Sequence, residues 1–179
     1  MDLFVLASER KRGMVTAFPE LPPPTDRLGD LTEPERLVVG CFRRWLAGGT
    51  QREMLWRLLA HELAPGEART ALRGLEAMIR VLTAHARRNI TYHQPCCPCI
   101  GPDEVGLLTL VTAVQRDQPA LARLVGANFV NHEGLGVLLG AADLFASALK
   151  PRDLPLRFAY CAEPVAEAEA EFVPAPMLH

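Results

Sequence analysis

The placement of proline constrains this chain more than any other feature. Prolines 34, 65, 102, 119 and 151 stand at the edges of stretches rich in Leu, Ala and Val, and none falls inside one. Proline fixes φ and lacks an amide hydrogen, so it suits the first turn of a helix and breaks its interior. The sequence therefore predicts a series of short helices with proline-marked ends. Thr32, Pro34 and Glu35 start the first, which Gly48 and Gly49 end. A second spans about 51–63. The third and longest runs about 65–88 on a stripe of Ala68, Ala71, Leu72, Leu75, Ile79 and Leu82, with Arg87 and Arg88 in its last turn. A fourth, capped by Gly101 and carrying Asp103 and Glu104 in its first turn, reaches about Arg116. The fifth covers about 119–130 and the sixth 134–149.

Short links between such helices favour antiparallel neighbours. The expected fold is all-α: a single-domain bundle of five or six helices over 32–150, with an extended N-terminal arm (1–31) and a C-terminal tail (151–179). Pro19, Pro22, Pro23, Pro24 and Gly29 keep the arm from helix, although Leu3–Ala7 could form a strand or a turn of helix. Leu154–Cys161 alternates like an edge strand, and the acidic tail ends in apolar Met177 and Leu178.

Composition narrows the function classes. Serine occurs only at positions 8 and 147, which argues against a serine nucleophile, and an enzyme is the weaker expectation. Net charge is −2, so no overall field draws nucleic acid or membrane. The charge is unevenly spread: residues 35–88 hold ten bases against five acids, and residues 153–179 five acids against one base. That asymmetry reads as two solvated surfaces, with a protein partner or self-association as the alternative. No secretory signal is legible. The nearest apolar run, Leu135–Leu149, is broken by Asp143, so no membrane span is expected and the location reads as cytoplasmic. In a reducing compartment the five cysteines read as thiols or metal ligands.

Three of those cysteines fall in one loop, His93-Gln-Pro-Cys-Cys-Pro-Cys-Ile-Gly-Pro-Asp-Glu104. Cys96 and Cys99 make a C-x-x-C, and His93 precedes Cys96 by the same interval. Zinc takes thiolate and imidazole in a tetrahedron, and such a turn can deliver several ligands to one ion. His93, Cys96, Cys97 and Cys99 are the candidate metal ligands, with His85, Cys41 or Cys161 as alternative fourth ligands and zinc as the candidate cofactor. The same C-x-x-C, ahead of the fourth helix, also admits thiol-redox chemistry. The third reading is structural: Cys and Pro pack as small apolar residues in a rigid turn.

A further reading treats residues 31–90 as a helix-turn-helix-like DNA-binding regulator, with Arg69, Arg73 and Arg80 on the recognition helix. Gly134, Gly136 and Gly140 match a dinucleotide fingerprint only by letter, since no strand precedes them; they read as small residues for close helix packing. The pattern His93-x-Pro95-x-Cys97-Pro98-Cys99-x-Gly101-x-Asp103-Glu104, with its flanking helices, resembles a group of short uncharacterised bacterial helical proteins. The resemblance covers the middle of the chain. It implies no activity, and it implies that Cys97 and Cys99, more than Cys96, belong to the pattern. The resulting expectation is a small helical binding or regulatory protein whose Cys/His loop is structural or binds metal.

Overall fold

The computed structural model describes residues 27–150. Six helices follow in order: α1 (Glu33–Ala47), α2 (Thr50–Glu62), α3 (Pro65–His85), α4 (Pro102–Gln115), α5 (Pro119–Phe129) and α6 (His132–Leu149). One 3-10 turn, Leu28–Asp30, precedes them. Among the described residues there is no strand, only two isolated bridges that pair Arg27 with Cys99 and Ala86 with Val130. The all-α expectation holds. The expectations for Leu3–Ala7 and Leu154–Cys161 lie outside the described residues.

Proline and glutamate set most of the helix starts. Proline occupies the first or second position of α1, α3, α4 and α5. In α1, α3 and α4 the third residue is glutamate, and its carboxylate accepts the amide of the capping residue. Those bonds are Thr32 N–H to Glu35 (2.8 Å), Ala64 N–H to Glu67 (3.0 Å) and Gly101 N–H to Glu104 (2.8 Å). Each satisfies an amide that the helix leaves orphaned and sets a carboxylate at the positive end of the dipole. Asn131 caps α6 instead, accepting Gly134 N–H at 3.0 Å, so that helix starts two residues before the expected Gly134.

The end of α3 departs from expectation. The helix stops at His85, and Ala86 turns to an extended conformation (φ −59°, ψ 135°). There Arg87 N–H donates to Phe129 O (2.9 Å) and Asn131 N–H to His85 O (3.0 Å). The 86–87 backbone joins the end of α5 in place of a further helical turn, so Arg87 and Arg88 are not last-turn residues.

The most extensive interface is α3 against α6; α4 packs on α5 and α6, and α1 meets α2 and α4. Leu75, Met78, Leu108, Leu138 and Phe145 are fully buried. Phe42 of α1 meets Phe145 edge-on, centroids 6.3 Å apart. A Cβ on Gly74 would lie 2.5 Å from the Phe145 backbone nitrogen, so α3 and α6 approach to a distance only glycine permits. Gly134 is likewise covered, by His85. Gly136 and Gly140 face open space, which corrects their assignment as packing residues. Residues 27–31, read from sequence as arm, join the bundle: Leu31 is buried, and Leu28 N–H donates to Pro98 O at 2.7 Å.

Candidate functional site

The loop between α3 and α4 is built around a residue that the sequence reading passed over. Arg43 of α1 is 1% exposed and Glu104 of α4 is 3% exposed. Arg43 Nε donates to Glu104 Oε1 (2.6 Å) and Nη2 to Oε2 (2.9 Å), the two-pronged geometry that suits guanidinium to carboxylate. The remaining donors reach the loop backbone. Nη1 meets the carbonyls of Cys97 (2.7 Å) and Gln94 (3.4 Å), and Nη2 meets that of Cys99 (2.5 Å). A guanidinium has five N–H donors, and these contacts engage all of them.

Glu104 is equally engaged. Beyond Arg43 it accepts Gly101 N–H, His93 N–H (3.1 Å) and His93 Nδ1 (2.9 Å). Burial pushes its carboxyl up, but the bonds from Arg43, Gly101 and His93 outweigh burial and hold it at about 2. An ionised carboxylate only accepts, so the bond to Glu104 places an imidazole proton on Nδ1. The ring seats over Gly101, where a Cβ would come within 3.1 Å of Cε1.

Asp103 organises the preceding segment. Its carboxylate accepts Arg88 Nη1 (3.0 Å) and Nη2 (2.5 Å), Thr91 N–H (2.7 Å) and the Thr91 hydroxyl (2.9 Å). The Arg88 hydrogen bonds and those from Thr91 overcome burial and lower its pKa to about 2. The two adjacent acids therefore divide the loop, Asp103 fixing 88–91 and Glu104 fixing 93–101.

The brace uses the carbonyl oxygens of Cys97 and Cys99. Cys96 and Cys99 are exposed, Cys97 is half-buried, and none is in a disulfide. Pro95 and Cys96 form the centre of a turn closed by Cys97 N–H to Gln94 O (3.0 Å). Among the described residues no group of three or more His, Cys, Asp and Glu side chains is placed to hold a metal ion, so His93, Cys96, Cys97 and Cys99 do not form an assembled centre. What the loop turns toward the Arg43 guanidinium is carbonyl oxygen, from Gln94, Cys97 and Cys99. Of the alternative fourth ligands, Cys41 is buried on α1, where burial pushes its thiol up to about 12. His85 packs against Gly134, and Cys161 lies outside the described residues.

Arg69, Arg73 and Arg80 share the exposed side of α3, with Arg80 paired to Glu76 at 3.1 Å. The loop after α3 forms no strand pair. No helix among the described residues is long and apolar enough to cross a membrane.

Two clefts flank the braced loop. One, of about 300 Å³, lies between α1, α2 and Pro95, and charges of both signs line it, Glu33 and Glu62 with Arg36, Arg43 and Arg44. The other, of about 260 Å³, is mainly apolar. Phe42 and Leu46 of α1, Ile79 and Leu82 of α3, Leu107 of α4 and Ile90 line it, and Thr83, Arg88, Asn89 and Tyr92 supply polar groups, one of them charged.

Signals for this site were present in part. Arg43 lies four residues after buried Val39 on α1, a cation on an apolar face, and full burial of such a residue demands a partner. Comparison with protein-family models, with curated proteins and with solved structures yields no match for the chain.

Proposed function

We propose that this is a non-enzymatic helical binding or regulatory protein whose ligand seat is the apolar groove between α1, α3, α4 and residues 88–92, with the Cys/His loop as its structural brace. The observation that carries the reading is the grip of Asp103 on Arg88 and Thr91. These bonds fix the segment bearing Ile90, so one groove wall is tied to the first turn of α4. A wall held before the ligand arrives lowers the ordering cost of binding. The lining, apolar with a few hydrogen-bonding groups, suits a small apolar ligand with one polar end. Arg43 and Glu104 favour the bracing role because their donors and acceptors are already committed to each other and to the loop.

Anilinonaphthalene sulfonate, an apolar probe with one anionic end, tests the seat by amide-resolved NMR titration. Saturable binding is expected, with shifts centred on Leu46, Leu82 and Ile90, and loss of binding in Ile90→Trp, which fills the groove. Binding unaffected by Ile90→Trp, or shifts centred elsewhere, overturns the assignment. Metal analysis of the purified chain tests the brace: one equivalent of zinc, lost on substituting His93 and Cys96, would displace it.

A further inference from the structure

Neither the groove nor the braced loop uses the arginines on the open side of α3. Arg69 and Arg73 are exposed and stand one turn apart, where like charges repel. The acids of the same helix are engaged elsewhere. Glu67 accepts the Ala64 amide at the helix start, and Glu76 is paired with Arg80. Among the described residues, neither the Arg69 nor the Arg73 side chain has a hydrogen bond or an ion pair. We infer that this turn of α3 is a docking face for an acidic, extended segment, and that its occupant is residues 163–171 of the same chain.

The helix register supports this occupant. Gly74 of α3 lies against Phe145 of α6, and further along α3 His85 lies against the earlier Gly134, so the two helices run antiparallel. Leu149, the last residue of α6, is one turn past Phe145, which brings it level with Thr70, between the two arginines along α3. The chain therefore leaves α6 at the height of Arg69 and Arg73. From Phe158 to Leu178 the sequence carries Glu163, Glu167, Glu169 and Glu171 and neither Lys nor Arg. Arg152 and Arg157 fall in the stretch before it, which serves as the tether.

Reach and spacing agree with the charges. From Lys150 to Glu163 an extended chain spans up to about 45 Å, and the whole of α3 is only about 30 Å long. Such a tether holds the acidic segment at roughly millimolar effective concentration, so contacts too weak to hold a separate peptide can hold this one. Glu167, Glu169 and Glu171 alternate with alanine. Alternate residues of an extended chain recur on one side about every 6.7 Å, and Arg69 and Arg73 are about 6 Å apart along the helix axis. Two successive glutamates can therefore meet both guanidiniums at once, each in two-pronged geometry. The inference is independent of the groove.

Amide-resolved NMR of the full-length chain is the test. Glu163→Gln, Glu167→Gln, Glu169→Gln and Glu171→Gln together are expected to shift the amides of residues 66–76. Arg69→Gln with Arg73→Gln is expected to shift those of residues 163–171. Amides around Arg123, an exposed base on α5, are the control and should stay in place. Raising salt from about 0.01 M to about 1 M shortens the Debye length from about 30 Å to about 3 Å, and both sets of shifts should vanish. Circular dichroism verifies that both variants retain the helices, and sedimentation should show a single-chain species. Unmoved 66–76 amides in the glutamine variant, shifts that persist at high salt, or shifts centred on another surface would overturn the proposal. So would a two-chain species whose dilution removes the shifts, which assigns the face to a second copy. A response of residues 66–76 to a DNA duplex but not to the glutamine variant assigns it to nucleic acid and likewise removes the tail as occupant.

Discussion

At the α3–α6 seam, two helices approach until Gly74 lies against the Phe145 backbone, and apolar side chains fill what remains. At the loop end, the space between α1 and α4 is filled by an arginine and a glutamate that hold about a dozen residues of irregular chain. Arg43 and Glu104 are as buried as the side chains of the seam, although the loop they hold is largely exposed, and the two regions are held by different forces. The seam depends on shape and should respond to changes of volume. The loop end depends on charge and hydrogen bonding, and should respond to pH and to loss of a partner. Irregular backbone explains the choice: a loop leaves carbonyls that no helix satisfies, and a guanidinium can take three of them while neutralising a carboxylate.

The sharpest way to break the comparison is at Arg43. Arg43→Met keeps the apolar stem and removes the charge, leaving Glu104 buried without its main partner. Breaking a buried pair from one side costs about 3–5 kcal/mol, and urea unfolding should report a loss of that size. Adding Glu104→Met should restore part of it, because an apolar pair needs no desolvated charge. If Arg43→Met alone costs less than about 1 kcal/mol, the value of an ordinary surface pair, the brace is not the keystone of the loop.

Acid is the next largest lever. Glu104 and Asp103 are both held at about 2, below their ordinary values of 4.5 and 3.8. A lowered folded-state pKa stabilises at pH values above the ordinary one, and that stabilisation fades as pH falls through the folded value. Stability should therefore drop between about pH 5 and pH 2. Glu104 should account for about 3 kcal/mol, and Asp103 for less because half-exposed Arg88 is screened by solvent. Hydrogen exchange should show residues 93–101 losing protection before α3 and α6 do. Loss of protection at the seam first would reverse the assignment of forces.

Much of the bundle was legible because helix starts are local. Pro34, Pro65, Pro102 and Pro119 with the glutamates at 35, 67 and 104 write the start within four residues. The end of α3 was not legible, since its terminating bond goes to Phe129, about forty residues on. The same distance problem hid the site. Glu104 was read as a first-turn carboxylate; its partner Arg43 is 61 residues away, and spacing along the chain says nothing about that pairing. The loop itself was singled out for the sulfurs of Cys96, Cys97 and Cys99, whereas the brace uses the carbonyl oxygens of Cys97 and Cys99. Side-chain chemistry is visible in letters, and backbone carbonyl direction is not.

The smallest effects sharpen the other half of the comparison, because four glycines on two packed helices should respond to one substitution with opposite signs. Alanine in place of glycine within a helix gains roughly 0.5–1 kcal/mol in backbone entropy. At Gly136 and Gly140 nothing opposes that gain, since an added Cβ meets open space, and each variant should raise the urea midpoint accordingly. At Gly74 the added carbon meets the Phe145 backbone at 2.5 Å, and a backbone cannot rotate aside as a side chain can. Overpacking costs about 1–3 kcal/mol, so Gly74→Ala should be a net loss. Gly134→Ala, against the His85 side chain, should fall between them. Should Gly74→Ala stabilise as Gly136→Ala does, α3 and α6 must be able to separate without penalty, and the seam would not be the shape-determined half of the molecule.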